Sequence, residues 1–252
     1  MTFLKNKQNG VYLLSPIVND FEEIYLKVRA LENRVVDQAT LKILPNPPKG
    51  TSGYEQWMMR KSSTRRFMQC QTFLEAKNIL DIGCGNGWFA NKMAKHNSNT
   101  NVFALDVNLF ELKEGAKAFD RENLHFLYAD IFHANLPAKH FDLVVLNSVI
   151  QYFDDVPKLF DRIFSLLTDD GNIHIIDSPF YKTNEVEAAR KRSQDYYEGL
   201  GYPSMADNYN HHSWDVLAPY NTKKMYNPTR HKLINKIKGR KDTPFCWIKI
   251  CK

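Results

Sequence analysis

Apolar residues in the first part of the chain recur at alternating steps of three and four. Phe21, Ile24, Val28, Leu31 and Val35 fall on this rhythm with charges between them, which predicts a helix over 19–44. Asn19 followed three places later by Glu22 supplies a capping-box start. The run "LPNPPKGTSG" stops that helix, because proline cannot continue it and glycine favours turns, so 45–53 reads as a linker. A second helical stretch follows over 54–73. It carries Trp57, Met58 and Met68 beside the basic group Arg60, Lys61, Arg65 and Arg66.

From Asn78 onward the period changes. Short β runs alternate with amphipathic segments: "NILDIG" precedes a helix from about Trp88, and "NVFALDV" precedes one with Leu109, Leu112, Ala116 and Phe119 on one face. "LHFLYAD" leads into a loop-rich link, and "FDLVVLN" into a helix with Val156, Leu159, Ile163 and Leu167 inward. Gly171 then separates that helix from "NIHIIDS". Repeated strand and crossover units imply a parallel sheet covered on both faces, a doubly wound α/β fold. Residues 180–230 break the rhythm with a helix from Asn184 to Glu198 and a polar, aromatic segment without period. The expected organisation is an N-terminal helical extension and linker over 1–53 and a Rossmann-like domain over 54–252. That domain carries a cap insertion at about 180–230, with a short helix over 232–238 and a closing strand in "TPFCWIKICK".

At 252 residues and 43% hydrophobic content the chain can bury a substantial core. No basic-then-apolar leader opens it and no apolar run approaches the ~20 residues of a membrane span, so the expectation is a soluble, cytoplasmic protein. The four cysteines, Cys70, Cys84, Cys246 and Cys251, lack paired spacing and read as reduced thiols, with neither metal nor disulfide implied. The net charge of +6 is uneven: residues 223–252 hold ten Lys or Arg and one acid. This basic segment suits nucleic acid, an anionic lipid surface or an acidic substrate, and equally a solvated helix face with Leu233, Ile234 and Ile237 turned inward.

The chemistry concentrates in "NILDIGCGNGWFA". A dinucleotide turn requires G-x-G-x-x-G, but the spacing here is Gly83, Gly85, Gly87, with Trp88 where the third glycine should stand. A Walker loop ends in Gly-Lys-Ser/Thr, and "GNGWF" has neither lysine nor hydroxyl. Asp81, two residues before the first glycine, suits a ligand with ammonium and sulfonium charges rather than a pyrophosphate, since anion beside anion is repulsive. Asp106 ends the second strand, 23 residues after Gly83, where an acid accepts both hydroxyls of a ribose. Asp130 ends the third and can take a hydrogen bond from an adenine amino group, with Ile131 and Phe132 beside the purine. Each acid also has a plain structural reading: ordering its own turn, capping the next helix, or serving as a turn residue.

"ILDIGCGNGWFA", "VFALDVN", "YADIF", "FDLVVLNSVIQYF" and "LLTDDGNIHIIDS", in this order, resemble the class I S-adenosylmethionine-dependent methyltransferases, specifically the small-molecule, UbiE-like branch. The resemblance covers about 76–178 and implies a mostly parallel seven-stranded sheet with an antiparallel edge strand, the latter in "TPFCWIKICK". It places Gly83, Cys84 and Gly85, with Asn86, along the methionine of S-adenosylmethionine. Asp106 with Val107 would hold the ribose, and Asp130 with Ile131 would bracket the adenine. Asn147 and Ser148 would face the sulfonium and the acceptor.

Methyl transfer from a sulfonium needs alignment, and a general base only when the acceptor is protonated. The candidates for such a base are His211, His212 and Tyr209 in the cap, and Asp177 or Tyr181 after the fifth strand. For the histidine pair, ordinary loop packing is the competing reading. "NSVI" stands where methyltransferases acting on base amines carry N/D-P-P-Y/F, which disfavours that subgroup. The aromatics between Phe180 and Tyr220 fit either a pocket for a small aromatic or apolar acceptor or the packing of an insertion on the sheet. Trp57 and Arg60 stand where they can reach the cofactor's carboxylate or can serve as core and surface residues. Docking of nucleic acid or protein through the basic segment, and a non-catalytic S-adenosylmethionine-binding module, remain as alternative functions.

Overall fold

The computed structural model describes residues 3–17, 20–231 and 242–252, with the side chains of residues 20 and 21 outside this description. Asn19 of the expected capping box and the helix expected over 232–238 lie outside the described residues. In chain order the elements are β1 (Lys7–Gln8), β2 (Val11–Leu13), α1 (Asp20–Leu31), α2 (Gln38–Ile43), α3 (Tyr54–Phe67), α4 (Gln71–Glu75), β3 (Asn78–Ile82), α5 (Trp88–His96), β4 (Asn101–Asp106), α6 (Leu109–Ala118), β5 (Leu124–Tyr128), β6 (Phe141–Asn147), α7 (Val156–Leu166), β7 (Leu167–Ile176), α8 (Val186–Gly199), β8 (Asn221–Tyr226) and β9 (Trp247–Cys251). Among the described residues no helix is long and apolar enough to cross a membrane.

One sheet runs in the order β1-β2-β5-β4-β3-β6-β7-β9-β8. Its centre, β5-β4-β3-β6-β7, is parallel, and β9 runs antiparallel to β7, which gives the expected doubly wound α/β fold with a reversed strand. Alternate residues serve opposite faces, as pleating dictates. Leu143 and Val145 of β6 pack with Phe67, Phe73 and Phe89, whereas Val144 and Leu146 pack with Leu159 and Ile163 of α7. Strand order reverses between β3 and β6, and a crevice opens beyond the carboxyl ends of such strands.

Several boundaries differ from those expected. The sheet has nine described strands rather than seven, because the hairpin of β1 and β2 adds to β5 and satisfies an otherwise bare edge. The reversed strand β9 is not outermost: β8, from the segment read as aperiodic, pairs beyond it and carries Lys223 and Lys224 exposed on the edge. The helix expected over 19–44 is two, since Asn33 adopts a left-handed φ of 53° and Asp37 restarts the chain by accepting a hydrogen bond from Thr40 N at 2.7 Å. The helix expected over 54–73 also breaks. Phe67 and Phe73 are both fully buried with centroids 5.1 Å apart, yet six residues on one continuous helix point roughly 240° apart. Gly171 lies inside β7 at a register shift, buried against Leu167, rather than before the strand.

The N-terminal and cap segments meet above the crevice. Val28 of α1 packs against Tyr197 of α8 and Met205 in a small separate core. Tyr196 hydroxyl donates to Glu32 Oε1 at 2.7 Å. Below, Gln38 Nε2 donates to the carbonyl and carboxylate of Glu114, docking α2 on α6.

Candidate active site

The glycine turn leaves β3 and passes beneath β4, with Gly83 N and Cys84 N both donating to Leu105 carbonyl, at 2.8 and 3.1 Å. Gly83 has φ of 69°, and a Cβ there would lie 2.0 Å from Val149 Cγ2. Only glycine fits this left-handed close approach. Trp88, opening α5, stacks edge-on against Trp57 of α3 at 5.3 Å, and Arg60 lies over the Trp57 ring at 4.9 Å.

Two cavities adjoin along this turn and share Tyr25, Gly83, Gly85, Ser148 and Tyr152. The smaller, about 350 Å³, is lined by Asp106, Val107, Asp130, Ile131 and Phe132 together with Glu22, Ile82 and Val149. Asp106 Oδ2 accepts from Gly85 N at 2.7 Å and Oδ1 from Asn108 N at 2.8 Å. Those bonds hold the carboxylate at the cavity while leaving lone pairs on both oxygens. Asp130 accepts from Phe132 N at 2.9 Å and from His133 Nδ1 at 2.6 Å.

The larger cavity, about 740 Å³, is lined by Asp81, Gly83 to Asn86, Glu111, Asn147, Ser148 and Asp177, by Arg29, Arg34, Arg60 and Arg192, and by tyrosines of α1, α8 and the cap. Asp81 is 1% exposed, and neither carboxylate oxygen has a hydrogen-bond partner among the described residues. Burial, reinforced by the charge of Asp106, pushes its pKa well above the usual carboxylate range. Asn147 Oδ1 and Gln151 Oε1 are likewise buried without partners. Glu111, in the first turn of α6, is raised by burial to about 7, with Arg29 opposing the rise. Burial also raises Asp177, although Ser63 Oγ donates to it at 2.7 Å. Arg60 is lowered by burial and by Arg29 to about 10, which leaves it charged at neutral pH. Ser148 and Asp177 both take left-handed φ, at 58° and 50°, and are joined by Ser148 Oγ donating to Asp177 carbonyl at 3.1 Å.

The cavities thus bring together every residue expected to bind cofactor. Of the expected base candidates, Tyr181, Tyr209 and Asp177 line the larger cavity and the two histidines do not. His212 donates Nε2 to Ile150 carbonyl at 3.2 Å, and His211 bonds Ser193 Oγ at 2.8 Å between the rings of Tyr181 and Tyr209. Sequence reasoning missed Tyr25, Arg29, Glu111, Gln151 and Tyr152. Arg29 and Glu111 read locally as ordinary helix-surface charges, and only the packing of α1 over the crevice turns them inward.

The methyltransferase domain family matches residues 74–231 of this chain. Malonyl-[acyl-carrier protein] O-methyltransferase 1 of Ilyobacter polytropus is 36% identical over 97 residues, covering 38% of this chain and 36% of the relative. A second such methyltransferase of that organism is 31% identical over 135 residues, covering 52% of each. The chain therefore spans about half or less of the length of these curated relatives. The plantazolicin methyltransferase BpumL, solved in complex with S-adenosylhomocysteine, superposes with a TM-score of 0.54 at 16% identity, covering 91% of this chain and 99% of that one. An O-methyltransferase family protein from Burkholderia thailandensis gives 0.53 at 16% identity, covering 79% and 58%. At such identities these structures establish the shared fold. Domain match, strand order and glycine turn agree: the chain belongs to the methyltransferase domain family, with the class I fold and S-adenosylmethionine as cofactor.

Proposed function

We propose that this chain transfers the methyl group of S-adenosylmethionine to a small aromatic or apolar acceptor held beneath α1 and the cap. The single observation that carries the reading is the pair of adjoining cavities, with an unpartnered buried carboxylate, Asp81, on the wall of the larger. Buried polar groups normally have partners, so an orphaned acid facing a cavity fits a cationic ligand group. In this reading Asp106 and Val107 hold the ribose, and Asp130, Ile131 and Phe132 flank the adenine. Asp81 receives the ammonium and Arg60 the carboxylate, while Gly83 to Asn86 follow the methionine chain.

The cofactor supplies an already activated methyl group, so the protein's task is alignment and exclusion of water, worth about 7 to 11 kcal/mol when orientation is complete. Asn147 and Ser148, at the end of β6, would position the acceptor side. The phenols of Tyr197 and Tyr209 are pushed up by burial and stay protonated, so they act as hydrogen-bond donors that orient the acceptor rather than as bases. The cavity's volume lies within the roughly 300 to 1,000 Å³ of small-molecule sites. The test is a labelled-methyl screen of aromatic acids, phenols and amines alongside acyl-carrier protein and tRNA. Transfer to a small molecule supports the reading, and transfer confined to the macromolecules contradicts it.

A further inference from the structure

The larger cavity is lined by four arginines, Arg29, Arg34, Arg60 and Arg192, and by four acids, Glu32, Asp81, Glu111 and Asp177. Arg29 and Arg60 both line it, and neither has a carboxylate within 4.0 Å among the described residues. Arg34 differs, because Glu32 pairs with it at 3.4 Å. The Nε of Arg29 is fully buried without a hydrogen-bond partner among the described residues, and its guanidinium lies over the Tyr25 ring at 5.7 Å. Glu111 and Glu32 face Arg29 and Asp177 faces Arg60, none of them within 4.0 Å; Glu32 pairs with Arg34 instead, and burial favours the neutral form of Glu111 and Asp177. Both arginines are partly buried, and a partly desolvated cation with no anion in contact favours an anionic ligand.

S-adenosylmethionine brings one carboxylate against two cationic groups, the ammonium and the sulfonium. Arg60, beside Trp57 and the glycine turn, takes that carboxylate, and Asp81 answers the ammonium. Arg29 then remains without a contacting carboxylate among the described residues, beside Tyr25 and Tyr152, which meet edge-on at 6.0 Å, and Tyr152 meets Tyr209 at 5.8 Å. Cofactor binding raises the positive charge of the cavity further. We infer that the methyl acceptor carries an oxyanion, carboxylate or phosphate, on an aromatic or apolar frame, and that Arg29 receives it. The guanidinium fork matches either anion through two parallel hydrogen bonds, and the tyrosine rings supply the apolar walls. The inference rests on the reading of the cavities as a cofactor and acceptor site.

The experiment is isothermal titration of the full chain saturated with S-adenosylhomocysteine, using 4-hydroxybenzoate, 4-hydroxybenzamide, phenyl phosphate and phenol as probes. At least one anionic probe should bind ten-fold or more tighter than its neutral counterpart, and which one does so identifies the anion. Arg29→Gln should reduce that preference to two-fold or less while S-adenosylhomocysteine affinity stays within three-fold of wild type, and Arg29→Lys should retain part of the preference. Neither anionic probe bound more tightly than its neutral counterpart by the wild-type protein, or no probe bound, overturns the inference without any variant having to fold. A preference that survives Arg29→Gln also overturns it, as does a loss of cofactor affinity in that variant, which would assign Arg29 to the cofactor rather than to the acceptor. Failure of S-adenosylhomocysteine to bind the wild-type protein overturns the cofactor reading itself, whereas cofactor binding without anion preference overturns this inference alone.

Discussion

Replacing Asp81 with asparagine should move folding stability and cofactor binding in opposite directions. The side chain is 1% exposed, both its oxygens lack partners among the described residues, and burial together with Asp106 lifts its pKa well above 3.8. A carboxyl whose folded pKa exceeds its unfolded one holds its proton more tightly when folded. Its contribution to stability is therefore greatest in acid and declines as pH rises from about 3.8 towards the folded value, by about 1.4 kcal/mol for each step of one in pH across that interval. Asp81→Asn removes this decline. The apo variant should be more stable than wild type at pH 8, with little difference at pH 4. The same substitution deletes a charged acceptor for the cofactor's ammonium, which costs about 1.5 to 3 kcal/mol, or roughly ten- to 150-fold in affinity. Urea unfolding at the two pH values without ligand, with calorimetry of S-adenosylhomocysteine binding, reads both effects. A variant that is less stable at pH 8 and binds S-adenosylhomocysteine as wild type does would make Asp81 a structural residue and refute the reasoning.

Asp106→Ala should weaken S-adenosylhomocysteine binding by about 1.5 to 3 kcal/mol in calorimetry. It should also lower the unfolding midpoint, because Gly85 N and Asn108 N lose their acceptor; unchanged affinity would rule out the ribose role. Glu111 is raised by burial to about 7, so it gains negative charge as pH passes through that value, and the preference for the sulfonium of S-adenosylmethionine over neutral-sulfur S-adenosylhomocysteine should increase several-fold between pH 6 and 8. Glu111→Gln should flatten that pH dependence, and competition binding at the two pH values measures it.

The parallel core and the glycine turn were legible because each rests on local rules. The unbroken apolar run over 143–146 in "FDLVVLN" marks a strand buried on both faces, and D-x-G-x-G-x-G at Asp81 to Gly87 fixes a turn that side chains cannot occupy. What local patterns could not give was tertiary. The pairing of β8 with β9 depends on a partner some twenty residues away, and its exposed lysines mask any apolar alternation. The breaks at Asn33 and at Met68 to Cys70 follow from where Val28, Phe67 and Phe73 must be buried, not from a proline or glycine. Arg29 and Glu111 were invisible as site residues for the same reason, since each looks like a solvent-facing charge until α1 folds over α6. Glu22 Oε1 accepting from Phe110 N at 2.8 Å is one contact between those two helices.

The central claim is that the crevice recognises a phosphate-free nucleoside carrying positive charge. Calorimetric titration of the wild-type protein with S-adenosylmethionine, S-adenosylhomocysteine, NADH and ATP tests it most directly. Binding of the two sulfur nucleosides with no heat from NADH or ATP is the expected result, and binding of NADH with no response to S-adenosylmethionine would contradict it.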